Sequence, residues 1–179
     1  MVCVVLAGCV GSVPGNGGPG SATLDCATYC SDVMTNCTGS NAQYTAMANC
    51  MGACATFPMG TGSDTGGNTL GCRIYHAGNA ATDPTTHCVH AGPTGGTVCG
   101  GQCEAFCSIV DSICPTQYPS STTCMSLCMG YDKTMPYSLT ATGNTYACRA
   151  YHAQNAAADA ASAATHCPHT GSDGGGVCM

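Results

Sequence analysis

Six histidines fall into two sets of the same order: His76, His87 and His90, then His152, His166 and His169. Neutral imidazole is a good ligand for zinc and copper(II), and a few converging rings hold either ion. An aspartate follows the first histidine of each set, Asp83 after His76 and Asp159 after His152. On one helix that spacing is about two turns, near 10 Å along the axis. Bonds to zinc are about 2.0–2.2 Å, so the two groups do not reach one ion together. Asp83 and Asp159 are therefore expected to orient a ligand ring from behind. The favoured use of these side chains is a buried network that hydrogen-bonds loop carbonyls and amides, with no cofactor. The alternative is a Zn or Cu site, whose ligands would be His76 with His87 or His90, and the equivalent set His152, His166 and His169 in the second half.

The two sets belong to an internal repeat. The segment CRIYHAGNAATDPTTHCVHAGPTGGTVC, residues 72–99, returns as CRAYHAQNAAADAASAATHCPHTGSDGGGVC, residues 148–178. Each copy carries eight cysteines in the same order, with copy A over residues 25–100 and copy B over residues 102–179. Matched order and spacing of this kind indicate duplication.

Each copy reads as three helices joined by Gly-rich loops, an all-α fold of two tandem disulfide-rich repeats. The first helix of copy A is expected from Asp25 to about Cys37. The second runs from Asn41 to about Ala55, with Ser40 and Gln43 as a capping box; its copy B counterpart starts after Pro119 and is shorter. The third runs from about Thr69 to Thr82 and is stopped by Asp83-Pro84. At 100° per residue, Cys72, Tyr75, His76, Asn79 and Asp83 share one face of it. Copy B is longer between Cys148 and Cys167, which is expected to add about one turn to its third helix. That turn carries His166 away from His152, so copy A is expected to be the tighter metal site.

Eighteen cysteines in 179 residues is the density of a disulfide scaffold. Cysteines four apart on one helix are about 5–6 Å apart at Cβ, beyond the roughly 3.5–4.5 Å of a disulfide. Twin C-x-x-x-C pairs on antiparallel neighbours bridge each other instead, Cys26 to Cys54 and Cys30 to Cys50, with Cys103 to Cys128 and Cys107 to Cys124 in copy B. This resembles the helical hairpins of the α-hairpinin and CHCH types and implies the hairpin alone. The other four cysteines of each copy allow three pairings. The favoured ones are Cys37–Cys72 and Cys88–Cys99, with Cys114–Cys148 and Cys167–Cys178. The rival use of the sulfurs is Cu(I) storage by thiolates, with Met51, Met125 and Met129 beside them.

Only Arg73, Lys133 and Arg149 are cationic, and the net charge is −6. This excludes a basic surface for nucleic acid. The sequence contains no G-x-S-x-G, H-E-x-x-H or C-x-x-C-H, and Glu104 is its only glutamate. With no positioned acid, base or nucleophile to argue for, the chain reads as non-enzymatic.

The start, MVCVVLAGC, is apolar and ends in Leu6-Ala7-Gly8-Cys9. It resembles the lipobox of bacterial lipoproteins, which implies a signal over residues 1–9 and lipidation of Cys9. Residues 10–24, rich in Gly, Pro and Ser, then read as a flexible tether. The resemblance implies an extracytoplasmic protein, periplasmic or on the cell surface, lipid-anchored to a bacterial membrane. Its expected role is that of an interaction or structural module for an unknown partner; the second choice is a periplasmic Zn or Cu binding protein.

Overall fold

The structure, a computed structural model, describes residues 24–179. The lipobox with Cys9, and the tether except Leu24, lie outside the described residues.

Among the described residues the chain forms eight α-helices and no strand, four helices to a repeat. In copy A, Asp25 starts α1 (Cys26–Asn36) by accepting the Thr28 amide at 2.8 Å, a standard polar cap. Tyr29, Cys30 and Val33 are the buried face of α1. The chain then takes a short 3₁₀ turn, Gly39–Asn41, and an extended stretch before α2 (Met47–Cys54). The expected capping box at Ser40 and Gln43 does not form. Gln43 instead donates to the Asn41 carbonyl and lies buried under Gly92. In copy B, α5 (Gln102–Ile113) and α6 (Ser121–Met129) repeat the hairpin, and α6 is no shorter than α2. The nested bridges Cys26–Cys54, Cys30–Cys50, Cys103–Cys128 and Cys107–Cys124 clamp these hairpins.

The third helix differs from the sequence reading. Thr69 caps α3 (Leu70–Asn79), but the helix stops at Asn79. A new one, α4 (Pro84–Ala91), starts with Asp83 as cap and Pro84 in its first turn. Proline lacks the amide that a first helical turn cannot use, so it opens this helix as well as ending the last. Copy B repeats the break with α7 (Tyr146–Ala156) and α8 (Ala160–His166), capped by Thr145 and Asp159.

The break corrects the cysteine pairing. Cys37–Cys72 and Cys88–Cys99 are not formed; the bridges are Cys37–Cys88 and Cys72–Cys99. Likewise Cys114–Cys148 and Cys167–Cys178 give way to Cys114–Cys167 and Cys148–Cys178. With the chain folded back at residues 80–83, α4 lies against the end of α1, where Cys37 follows the last helical residue. The Gly-rich loop after α4 then returns Cys99 to the first turn of α3.

Under that loop sits a buried arginine in each copy. Arg73 is 0 % exposed and donates to Gly92 O, Thr69 O and Asn68 Oδ1. Its guanidinium lies over the Phe57 ring at 3.7 Å, a cation–π contact. Arg149 does the same with Gly171 O, Thr145 O, Ser172 O and the ring of Tyr131. The loop has many carbonyls with no secondary-structure partner, and a planar five-donor fork satisfies several at once. Among the described residues all eight bridges stay within a repeat, but the repeats also touch. Asn49 of α2 donates to the Gln154 and Asn155 carbonyls of α7, and Tyr137 donates to Gln43 O. Gly52 lies so close to Ala157 that a Cβ there would meet its carbonyl oxygen at 1.7 Å.

Candidate metal centre

The break between α3 and α4 brings His76, near the end of α3, against two histidines of α4. His87 and His90 are three residues apart on α4 and so share its face. The Nδ1 atoms of His76 and His87 are 2.8 Å apart. The rings of His76 and His90 meet edge to face at 4.8 Å between centroids, and those of His87 and His90 at 6.3 Å. One ring nitrogen from each of the three lies within 4.8 Å of the others. His76 is buried, while His87 and His90 are half-buried and close the outer side of the cluster.

The hydrogen bonds assign the tautomers. His76 Nε2 lies 3.3 Å from the carbonyl oxygen of Thr65. A carbonyl only accepts, so Nε2 carries the proton and Nδ1 presents its lone pair to His87. His87 donates to it from its own Nδ1. The Nδ1 of His90 is buried with no partner. Burial, followed by the neighbouring rings of His90 and His87, holds the His76 pKa below that of a free imidazole; burial and then His87 do the same for His90. Neutral rings are the form that binds metal.

Copy B is similar but not equal. His152 and His166 pair through Nδ1 at 2.9 Å, and His152 meets His169 at 4.7 Å between ring centroids. The expected separation of His166 from His152 does not occur. The extra residues fall between Asp159 and His166, within α8 and not in the third helix, because Asp159 caps α8 at the same offset from Cys148 as Asp83 from Cys72. Among the described residues, however, the three-histidine convergence is found in copy A alone. Burial, then His169 and His166, pushes the His152 pKa down to about 4.

Asp83 and Asp159 do not orient any ring by hydrogen bond. Asp83 accepts the Thr86 amide at 3.1 Å and Asp159 the Ser162 amide at 2.7 Å, both as helix caps. The Thr65 carbonyl takes the role expected of Asp83. It sits in the loop between α2 and α3, where no pattern in the chain marks it. Cys72 and Cys99 also approach His76, as Cys148 and Cys178 approach His152. Their sulfurs are spent in the Cys72–Cys99 and Cys148–Cys178 bridges, so they are not thiolate ligands.

The BfoA family C-terminal domain matches this sequence twice, over residues 22–102 and 101–179. The chain belongs to the BfoA family. The two matches coincide with the two repeats. Over 79 residues, 44% of this chain and 25% of the relative, it is 42% identical to the Aurasperone B biosynthesis cluster protein A of Aspergillus niger. It is equally similar, at 42% over 79 residues, to the Bifonsecin B biosynthesis cluster protein A of Aspergillus brasiliensis. The chain thus spans about a quarter of the length of these curated relatives. No solved structure matches it.

A fungal BfoA family overturns the bacterial lipoprotein reading. Leu6-Ala7-Gly8-Cys9 is a short pattern that an apolar start meets by chance, and a bacterial lipid anchor at Cys9 is not supported. Eight disulfides are those of an extracellular or secreted protein. Among the described residues no helix is long and apolar enough to cross a membrane.

Proposed function

We propose that this BfoA family chain is a non-enzymatic, disulfide-stabilised module that works outside the cell by binding. The biosynthesis clusters for which its relatives are named suggest its setting, as an accessory to the enzymes of such a pathway. The observation that carries the reading is where its most reactive side chains point. His76 bonds His87 and His152 bonds His166, and among the described residues no histidine is hydrogen-bonded to a hydroxyl, thiol or carboxylate. A base needs a proton to take from a nucleophile or substrate within hydrogen-bond reach. These rings are instead held against each other by α3, α4 and four bridges per repeat, which suits a rigid binding body.

To test it, secrete the tagged full chain from a filamentous fungus and alkylate it with and without prior reduction. Then add the purified protein, alone and with secreted enzymes of a related cluster, to that cluster's metabolites. The expected protein is oxidised and external, is inert alone, and changes the rate or product ratio of the enzymes. Turnover by the protein alone, or an intracellular protein with free thiols, would overturn the reading.

A further inference from the structure

We propose that His76, His87 and His90 form a binding site for one Zn²⁺ or Cu²⁺ ion, with copy A the tighter of the two repeats. Nitrogen ligands of a tetrahedral ion with bonds of about 2.0–2.1 Å are about 3.3 Å apart. His76 and His87 stand 2.8 Å apart at Nδ1, so they part by about 0.5 Å to admit the ion, and His87 changes tautomer, carrying its proton on Nε2 so that Nδ1 is free to bind. The third ring starts within 4.8 Å and closes by at most about 1.5 Å. Three things are already in place. The Thr65 carbonyl holds the Nε2 proton of His76, fixing the ring and aiming its lone pair. Metal-bound imidazoles are oriented in this way by a carbonyl or carboxylate at the other nitrogen. His90 has a buried nitrogen with no partner, an atom whose burial costs free energy until something satisfies it. The loop presses on this ring: a Cβ on Gly96 would lie 2.9 Å from His90 Cδ2. Three histidines leave a fourth coordination position to water, on the side where His87 and His90 reach solvent.

Copy B shares the orphaned nitrogen, at His169 Nδ1, but differs in two respects. His152 has no carbonyl on Nε2 among its hydrogen bonds, and its three histidines do not bring one ring nitrogen each within 4.8 Å of the others. The remaining pair, His152 and His166, gives at most a weak two-nitrogen site.

The test is calorimetric titration of the metal-free full chain with ZnCl₂ and, separately, CuCl₂. His87→Ala and His90→Ala are the main variants because both rings are half-buried; His166→Ala and His169→Ala are the copy B controls. Near-ultraviolet circular dichroism checks that each variant is folded. The expected result is one tight equivalent per chain. It should weaken at least tenfold in both copy A variants and stay unchanged in both controls. Paramagnetic resonance of the Cu²⁺ form should show nitrogen coupling that His90→Ala reduces. No tight equivalent, or one that the copy A variants leave intact, would overturn the site. Metal binding and the secretion and turnover measurements fail separately, since neither result depends on the other.

Discussion

Replacing Tyr29 with Phe removes one oxygen from the core of copy A and nothing else. That oxygen donates to the Ala91 carbonyl at 2.6 Å and shares a hydrogen with the Tyr44 hydroxyl at 2.7 Å. Both partners are buried, Ala91 at 0 % exposure and Tyr44 at 3 %. A stranded buried donor or acceptor costs about 1–3 kcal/mol. Tyr44 recovers part of this by turning to the carbonyl, so the expected loss is about 1.5–2 kcal/mol. Copy B shows how the loss is repaired. Phe106 stands at the Tyr29 position, Tyr118 donates to the Thr170 carbonyl at 2.6 Å, and Tyr131 supplies the second hydroxyl at 2.7 Å. Tyr131 follows Cys128 as Phe57 follows Cys54. The double variant Tyr29→Phe, Phe57→Tyr rebuilds that arrangement and should regain at least half of the loss. Guanidinium unfolding without reductant, followed by circular dichroism, measures both. A single variant costing less than about 0.5 kcal/mol, or a double variant no more stable than the single, would refute the account of the tyrosine pair.

Thr97 is exposed on the Gly-rich loop with φ 69°, where copy B has Gly176 at φ 80°. Thr97→Gly should raise stability by about 0.5–1 kcal/mol in the same unfolding assay, since a left-handed residue with a Cβ is strained. The histidine pKa values set a pH dependence: burial holds His152 at about 4 and keeps His76, His90 and His166 below their ordinary value. The unfolded chain takes up protons below about pH 6.5 while the folded one does not, so stability present above that pH should fall as pH drops toward about 4. A flat unfolding midpoint over that range, measured in chelator, would contradict this. Pro168→Val should let α8 continue and draw His169 toward His166, adding a second Cu²⁺ equivalent by calorimetry; an unchanged stoichiometry would tell against proline as the cause of the weaker site.

What could be read from the chain alone depended on the distance over which each feature is decided. The hairpin bridges need only two C-x-x-x-C pairs on neighbouring helices, and the residues between them supply the rest. The pairing of Cys37, Cys72, Cys88 and Cys99 hangs on whether the chain continues or turns at residues 80–83. Asp83-Pro84 carries both messages. From the left it ends a helix; from the right it is a cap followed by a first-turn proline. Read only as a stop, it leaves out the helix that starts there, α4, and exchanges the partners of four cysteines in each copy. The histidine order was visible, but the Thr65 carbonyl that orients His76 was not, because a backbone oxygen in a Gly-rich loop leaves no mark in sequence.

The difference between the copies follows from helix geometry. Copy B adds residues between Asp159 and His166 amounting to nearly one turn, which moves His166 along α8 but returns it to almost the same face. That is why His166 still meets His152 at 2.9 Å. The added turn also puts His166 at the end of α8, and Pro168 follows where copy A has Val89. A 3₁₀ turn, Cys167–Thr170, takes over and holds His169. Residues three apart lie one above the other in a 3₁₀ turn but are about 60° apart on an α-helix, so His169 cannot stand to His166 as His90 stands to His87. The insertion thus spares the paired histidines and disturbs the third. Both copies thus keep the Nδ1 pair, and with it the α3–α4 and α7–α8 packing, while copy A alone among the described residues brings the full cluster together.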